Sequence, residues 1–121
     1  MEDAIRLSPR DPNIGAWYNR IGLVHLLQSR NEKAIIWFEK ARSHNSEHPN
    51  PRAYLASAYG LKGKTRRAAS ELAQARKLCG DDRYLSIARL RAAGPFGAPK
   101  IRALFEATYF VGLRNAGVPE E

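Results

Sequence analysis

The amino-acid sequence repeats itself. Sliding it by 34 residues aligns Tyr18 with Arg52, Ile21 with Leu55, Gly22 with Ala56, His25 with Tyr59, Ala34 with Ala68, Phe38 with Leu72 and Ala41 with Ala75, without a gap. Six of the seven pairs keep size or character. A period near 34 built from two helical stretches is the signature of a helical solenoid, whose units bury apolar surface mainly against their neighbours. The expected fold is therefore all-α, an antiparallel helix-hairpin solenoid of about six to seven helices. Residues 1–93 hold the repeats: a partial one over 1–12, full ones over 15–48 and 49–82, and a half repeat over 83–93. Residues 94–121 hold a linker and a C-terminal capping helix.

Proline, glycine and capping residues punctuate this pattern. Ala4 to Pro9 reads as the end of a helix stopped by proline, a tail with no first half, which suggests a chain cut from something longer. Asp11-Pro12 starts a helix to about Gln28, in which Ile14, Trp17, Tyr18, Ile21, Leu23, Val24, Leu26 and Leu27 cover most of the circumference, as an inner helix requires. Asn31 caps a partner helix with Ala34, Ile35, Phe38 and Ala41 as its stripe. Asn50 and Pro51 open the second copy, and Thr65 caps its partner, where Ala68, Ala69, Leu72, Ala75 and Leu78 recur every three or four residues. Asp82 caps a third inner helix from Arg83 to about Ala92. After the Gly94 to Pro99 breaker, one long helix is expected from Lys100 to Asn115, with Glu120-Glu121 frayed beyond it. Two full repeats are fewer than the three usually needed, so the flanking helices must supply burial.

Charge bounds the partner. Twenty Lys and Arg against 12 Asp and Glu give a net charge of +8, which favours an acidic partner. Nucleic acid is the alternative, through Lys62, Lys64, Arg66, Arg67, Arg76, Lys77, Arg89, Arg91, Lys100 and Arg102. No aromatic interleaving or nucleic-acid motif accompanies these cations, so an acidic protein segment is the better reading. Cys79 is the single cysteine, which rules out an internal disulfide and a zinc site with several thiolates. No secretory signal and no run of roughly eighteen apolar residues is present, so no membrane is expected and a cytoplasmic location is.

The small and aromatic residues of Gly15 to Asp82 resemble two tetratricopeptide repeats. Tyr18, Ile21, Gly22, His25, Ala34, Phe38 and Ala41, then Leu55, Ala56, Tyr59, Ala68, Leu72 and Ala75, match the family pattern. Arg52 departs from it where an aromatic is usual, His25 where Tyr is usual, and Ser46 and Gly80 where Pro is usual. The resemblance implies a concave groove that binds a peptide, lined by Ala16, Asn19, Leu23 and Leu26 from the first unit and by Ala53, Ser57 and Gly60 from the second; the alternative for these residues is contact within the solenoid or with its own last helix, which decides whether the groove is open. The tail, Asp81 to Tyr84, Lys100 to Thr108 and Gly112 to Glu121, resembles the C-terminal end of multidomain bacterial signalling proteins in which such repeats follow a nucleotide cyclase or DNA-binding domain. That implies a scaffold or regulatory tail rather than an enzyme, with an acidic or apolar protein or peptide as partner and no cofactor. Homo-oligomerisation is the competing expectation, carried by Ile101, Leu104, Phe105, Phe110 and Leu113 on the last helix.

Other motifs have plainer readings. Gly63-Lys64-Thr65 ends like a phosphate-binding loop, but Ala58 stands where that loop needs glycine, which leaves a turn and a helix start. His44 and His48 have zinc spacing, yet Pro49 places them in a loop with no third ligand nearby. His25 sits at a packing position, and Cys79 is a small hydrophobe at a helix end.

Overall fold

The computed structural model describes residues 14–44, 48–93 and 99–121. Every regular element there is helical: α1 (Ile14–Leu27), α2 (Asn31–His44), α3 (Pro49–Leu61), α4 (Thr65–Leu78), α5 (Ile87–Ala93), α6 (Pro99–Ala107) and α7 (Tyr109–Ala116). The expected helix end at Ala4–Pro9, the Asp11-Pro12 start, Ser46 and the 94–98 part of the breaker lie outside the described residues.

The 34-residue register reappears as geometry. α1 and α2 form one antiparallel hairpin, α3 and α4 a second, and α2 packs on α3 to join them. The two hairpin turns are the same turn. Ser29 has φ 62° and Gly63, 34 positions later, has φ 78°. In each, the following amide reaches back over the end of the helix, Arg30 N–H to the His25 carbonyl at 2.8 Å and Lys64 N–H to the Tyr59 carbonyl at 2.9 Å. This is a left-handed helix stop, which satisfies carbonyls that would otherwise be orphaned.

The hairpins close on small residues. A Cβ added to Gly22 would lie 2.6 Å from the Phe38 ring, so α1 and α2 meet at a distance only glycine permits there. Ala34, Phe38, Ala41, Leu55, Ala56, Ala68, Leu72 and Ala75 are all buried, with Phe38 stacked on Tyr54 at a ring-centre separation of 5.2 Å. Burial of this aliphatic and aromatic surface is the main stabilising contribution. Helix starts fall a residue or two from their expected places: α3 begins at Pro49 after His48, and α4 at Thr65 after Lys64, neither with a side-chain cap. Asn31 is the first residue of α2.

The C-terminal third departs further from expectation. Residues 83–86 are not helical, because the Asp81 carboxylate receives both the Arg83 amide at 3.0 Å and its guanidinium at 2.8 Å, holding a local turn. Helix α5 starts only at Ile87, capped by buried Ser86, whose Oγ accepts the Arg89 amide at 3.1 Å. The expected single helix from Lys100 to Asn115 is two helices broken at Thr108 (φ −123°, ψ −74°). The Thr108 hydroxyl donates to the Leu104 carbonyl at 2.7 Å, a back-bond that competes with helix continuation.

Glu120 is not frayed. The Pro119 and Glu120 carbonyls accept the Ile87 and Ala88 amides, each at 2.9 Å, and the Glu120 carboxylate pairs with Arg114. The chain end thus satisfies the first amides of α5. Gly117 (φ 113°) makes that return possible: Val118 N–H closes on the Leu113 carbonyl at 3.0 Å, and Val118 is buried.

Candidate functional site

Two faces were expected to line a groove, and the structure treats them differently. On α3, Ala53, Ser57 and Gly60 are fully enclosed, because α7 lies across them. The approach is unusually close. A Cβ on Gly112 would fall 2.2 Å from the Ser57 carbonyl oxygen and hydroxyl, and one on Gly60 would fall 2.2 Å from the Gly112 carbonyl. Two hydrogen bonds fix the crossing: Ser57 Oγ donates to the Tyr109 carbonyl at 2.8 Å, and Asn115 Nδ2 donates to the Gly60 carbonyl at 3.2 Å. Ser57 is thereby satisfied although it has no exposure. These three residues are thus covered from within the chain, the arrangement in which the last helix fills this part of the groove; smallness here serves helix contact.

On α1 the expected residues grade from surface to core. Ala16 is exposed, Asn19 and Leu23 are half-buried and Leu26 is fully buried. Leu26 belongs to the core and cannot contact a ligand in this conformation. The Asn19 Oδ1 atom is shielded from water and has no hydrogen-bond partner among the described residues. An acceptor in that state costs free energy until an N–H reaches it.

The residues assigned to a capping or oligomerising helix also divide. Phe105, Phe110 and Leu113 are buried, whereas Ile101 and Leu104 are 41% and 42% exposed. α6 is held by α7 and by the paired hydrogen bonds of Arg91 to Glu106 at 2.6 and 2.7 Å. That guanidinium lowers the Glu106 carboxyl below its ordinary range.

Two polar cavities flank the second hairpin. One, of about 240 Å³, is lined by Glu39, Arg42, Tyr59, Arg67, Ser70 and Glu71. Glu71 is almost completely buried, paired with Arg42 across the hairpin boundary and with Arg52 at 3.5 Å. The other, of about 170 Å³, is lined by Asn50, Tyr54, Arg83, Tyr84, Leu90, Ala93 and Tyr109. Tyr84 donates to Asn50 Oδ1 at 2.7 Å, and the Tyr54 and Tyr109 rings lie 4.7 Å apart. Burial pushes the Tyr54 phenol up to about 12 and raises those of Tyr84 and Tyr109 as well.

The remaining motifs fall where simple chemistry puts them. Gly63-Lys64-Thr65 is the α3–α4 turn. The His44 ring rests against Tyr18 with centres 5.3 Å apart. Cys79 is half-exposed, and its thiol donates to Asp81 at 3.3 Å. Among the described residues, no three His, Cys, Asp or Glu side chains gather to hold a metal, and no helix is long and apolar enough to cross a membrane. The basic residues Lys64, Arg66, Arg67 and Lys77 of the second hairpin are exposed.

Gly112, Asn115 and Ser86 were not singled out from the sequence. Gly112 and Asn115 are three residues apart on α7, which puts a bare backbone and a donor on one face; that spacing is the signal that could have found them. No family model, curated protein or solved structure matches this chain.

Proposed function

We propose that the chain is a protein-binding helical-hairpin module of tetratricopeptide type, which captures a peptide along the exposed side of α1 through Ala16, Asn19 and Leu23. The observation that carries this reading is the water-shielded Asn19 Oδ1 without a partner among the described residues, beside half-buried Leu23 and exposed Ala16. Once the half-buried Asn19 amide turns outward, a peptide N–H satisfies its oxygen and an apolar side chain covers Leu23. Both side chains are carried on a helix, so only side-chain rotation opposes association. The net charge of +8 selects acidic peptides and speeds their approach.

The test is amide chemical-shift mapping with an acidic peptide that carries a leucine. Shifts centred on Ala16, Asn19 and Leu23, weakened about tenfold by Asn19→Ala, support the reading. Shifts confined to other helices reject it.

Self-association is the second reading, favoured by the exposure of Ile101 and Leu104. Because α7 completes the core, deleting the C-terminus would unfold the chain rather than report on assembly. Sedimentation of the Ile101→Glu/Leu104→Glu variant is the discriminating measurement. A dimer that dissociates in the variant supports it, and a concentration-independent monomer in both removes it.

A further inference from the structure

The internal duplication assigns a role to a different face of the first hairpin. Trp17, Tyr18, Ile21 and Trp37 stand 34 positions before Pro51, Arg52, Leu55 and Glu71. At the second hairpin those positions face a neighbouring helix: α2 packs on α3, Pro51 and Leu55 are buried, and Arg42 of α2 reaches across to Glu71. One unit earlier, the same fold position is a seat for a helix. Trp17, Tyr18 and Trp37 there are half-buried, with the Tyr18 and Trp37 rings 5.7 Å apart. They pack against buried Ile14 and Ile21.

This seat lacks the acidic residue of its counterpart, where Glu71 is paired with Arg52 on the seat itself. At the second hairpin the seat offers Glu71 and the visiting helix brings Arg42. At the first hairpin Trp37 takes the place of Glu71, and the rim is cationic: Lys40 Nζ lies 4.4 Å from the Trp37 ring centre and the Arg20 guanidinium 5.4 Å from that of Trp17. Neither cation has an ion-pair partner among the described residues.

We propose that this face docks an acidic amphipathic helix of a partner protein. The apolar stripe of that helix lies on Trp17, Tyr18 and Trp37, and its Asp and Glu flanks meet Lys40 and Arg20. A helix of a second copy fits poorly, because α2 and α4 carry more basic than acidic residues and the chain is +8 overall. This surface is separate from the Asn19 side of α1, so the inference stands or falls without the peptide reading above.

Trp17 and Trp37 are the only tryptophans, so indole emission reports this face alone. The probe is a hydrocarbon-stapled peptide with the α2 sequence, Asn31 to His44, carrying Trp37→Phe to silence it and Lys33→Glu, Lys40→Glu and Arg42→Glu to make it acidic. The comparison peptide carries only Trp37→Phe. Added to the full chain, the acidic peptide should give a saturable blue shift at a concentration about tenfold lower than the basic one. Arg20→Glu/Lys40→Glu in the protein should reverse that order with an unchanged far-ultraviolet circular dichroism spectrum. No saturable shift, equal affinity for both peptides, or indifference to the double reversal overturns the proposal. So does a red shift on deleting residues 1–12 that the acidic peptide fails to reverse, since the face then belongs to the chain's own N-terminus.

Discussion

Single residues decide how closely the helices meet. Gly112 faces the Ser57 carbonyl and hydroxyl at a distance no Cβ tolerates, whereas Gly80 has open space around its Cβ position. Gly112→Ala is expected to cost about 3 kcal/mol or more, since α3 and α7 must separate, and Gly80→Ala to stay within roughly 0.5 kcal/mol of the parent; urea unfolding measures both. Ser29 presents the opposite case. It holds φ 62° with a side chain that disfavours it, so Ser29→Gly should stabilise by about 0.5 to 1 kcal/mol on the same measurement. Tyr54 adds a pH dependence. Its phenol ionises at 10.0 ordinarily and at about 12 in the fold because it is buried. Below the first value neither state is ionised and Tyr54 contributes no pH dependence; above it the unfolded chain loses the proton first, so stability falls as pH rises through that window. Tyr54→Phe should make this alkaline limb shallower in denaturant titrations at stepped pH, leaving the part that buried Tyr84 and Tyr109 contribute.

At the scale of elements, the two hairpins solve one packing problem with different chemistry. Tyr18 touches Trp37 ring to ring, while Arg52 pairs with Glu71 at the equivalent positions. Arg52 was visible in the sequence as a departure from the aromatic at its position, but its reason lies on another helix. Arg52→Tyr or Glu71→Trp alone should each destabilise, by about 2 to 3 kcal/mol where a nearly buried charge loses its partner. The double variant should recover at least about 1 kcal/mol of the summed loss, a coupling that thermal or urea unfolding of the full cycle measures. The hairpins were legible because apolar spacing and small residues at crossings recur at 34 residues, whereas the left-handed turn shared by Ser29 and Gly63 shows only in the backbone. The C-terminal third lacked such agreement. Lys100 to Asn115 has helical spacing throughout, and nothing local reveals that the Thr108 hydroxyl turns back on Leu104. Nor does a run such as Arg83 to Ala92 disclose that Asp81 grips Arg83 and delays the helix to Ile87.

At the scale of the whole molecule, α7 sets which face of α3 stays open. The sequence shows that the last helix is apolar enough to need cover, and which helix it meets depends on the Gly60–Gly112 contact and on the Asn115 bond to the Gly60 carbonyl. With Phe110 and Leu113 in the core and Val118 folded back beneath them, α7 completes the fold instead of resting on it as a displaceable ligand. The Ala53, Ser57 and Gly60 face is therefore closed, which is why the proposed binding is placed on the first hairpin. Native-state hydrogen exchange tests this claim most directly. The Gly112 amide, bonded to the Thr108 carbonyl at 2.9 Å, should exchange only through global unfolding, with the same opening free energy and denaturant slope as the amides of Ala58 and Tyr59 in α3. Exchange of Gly112 through a smaller opening that leaves α3 protected would show that α7 detaches, and the account of a closed α3 face would be wrong.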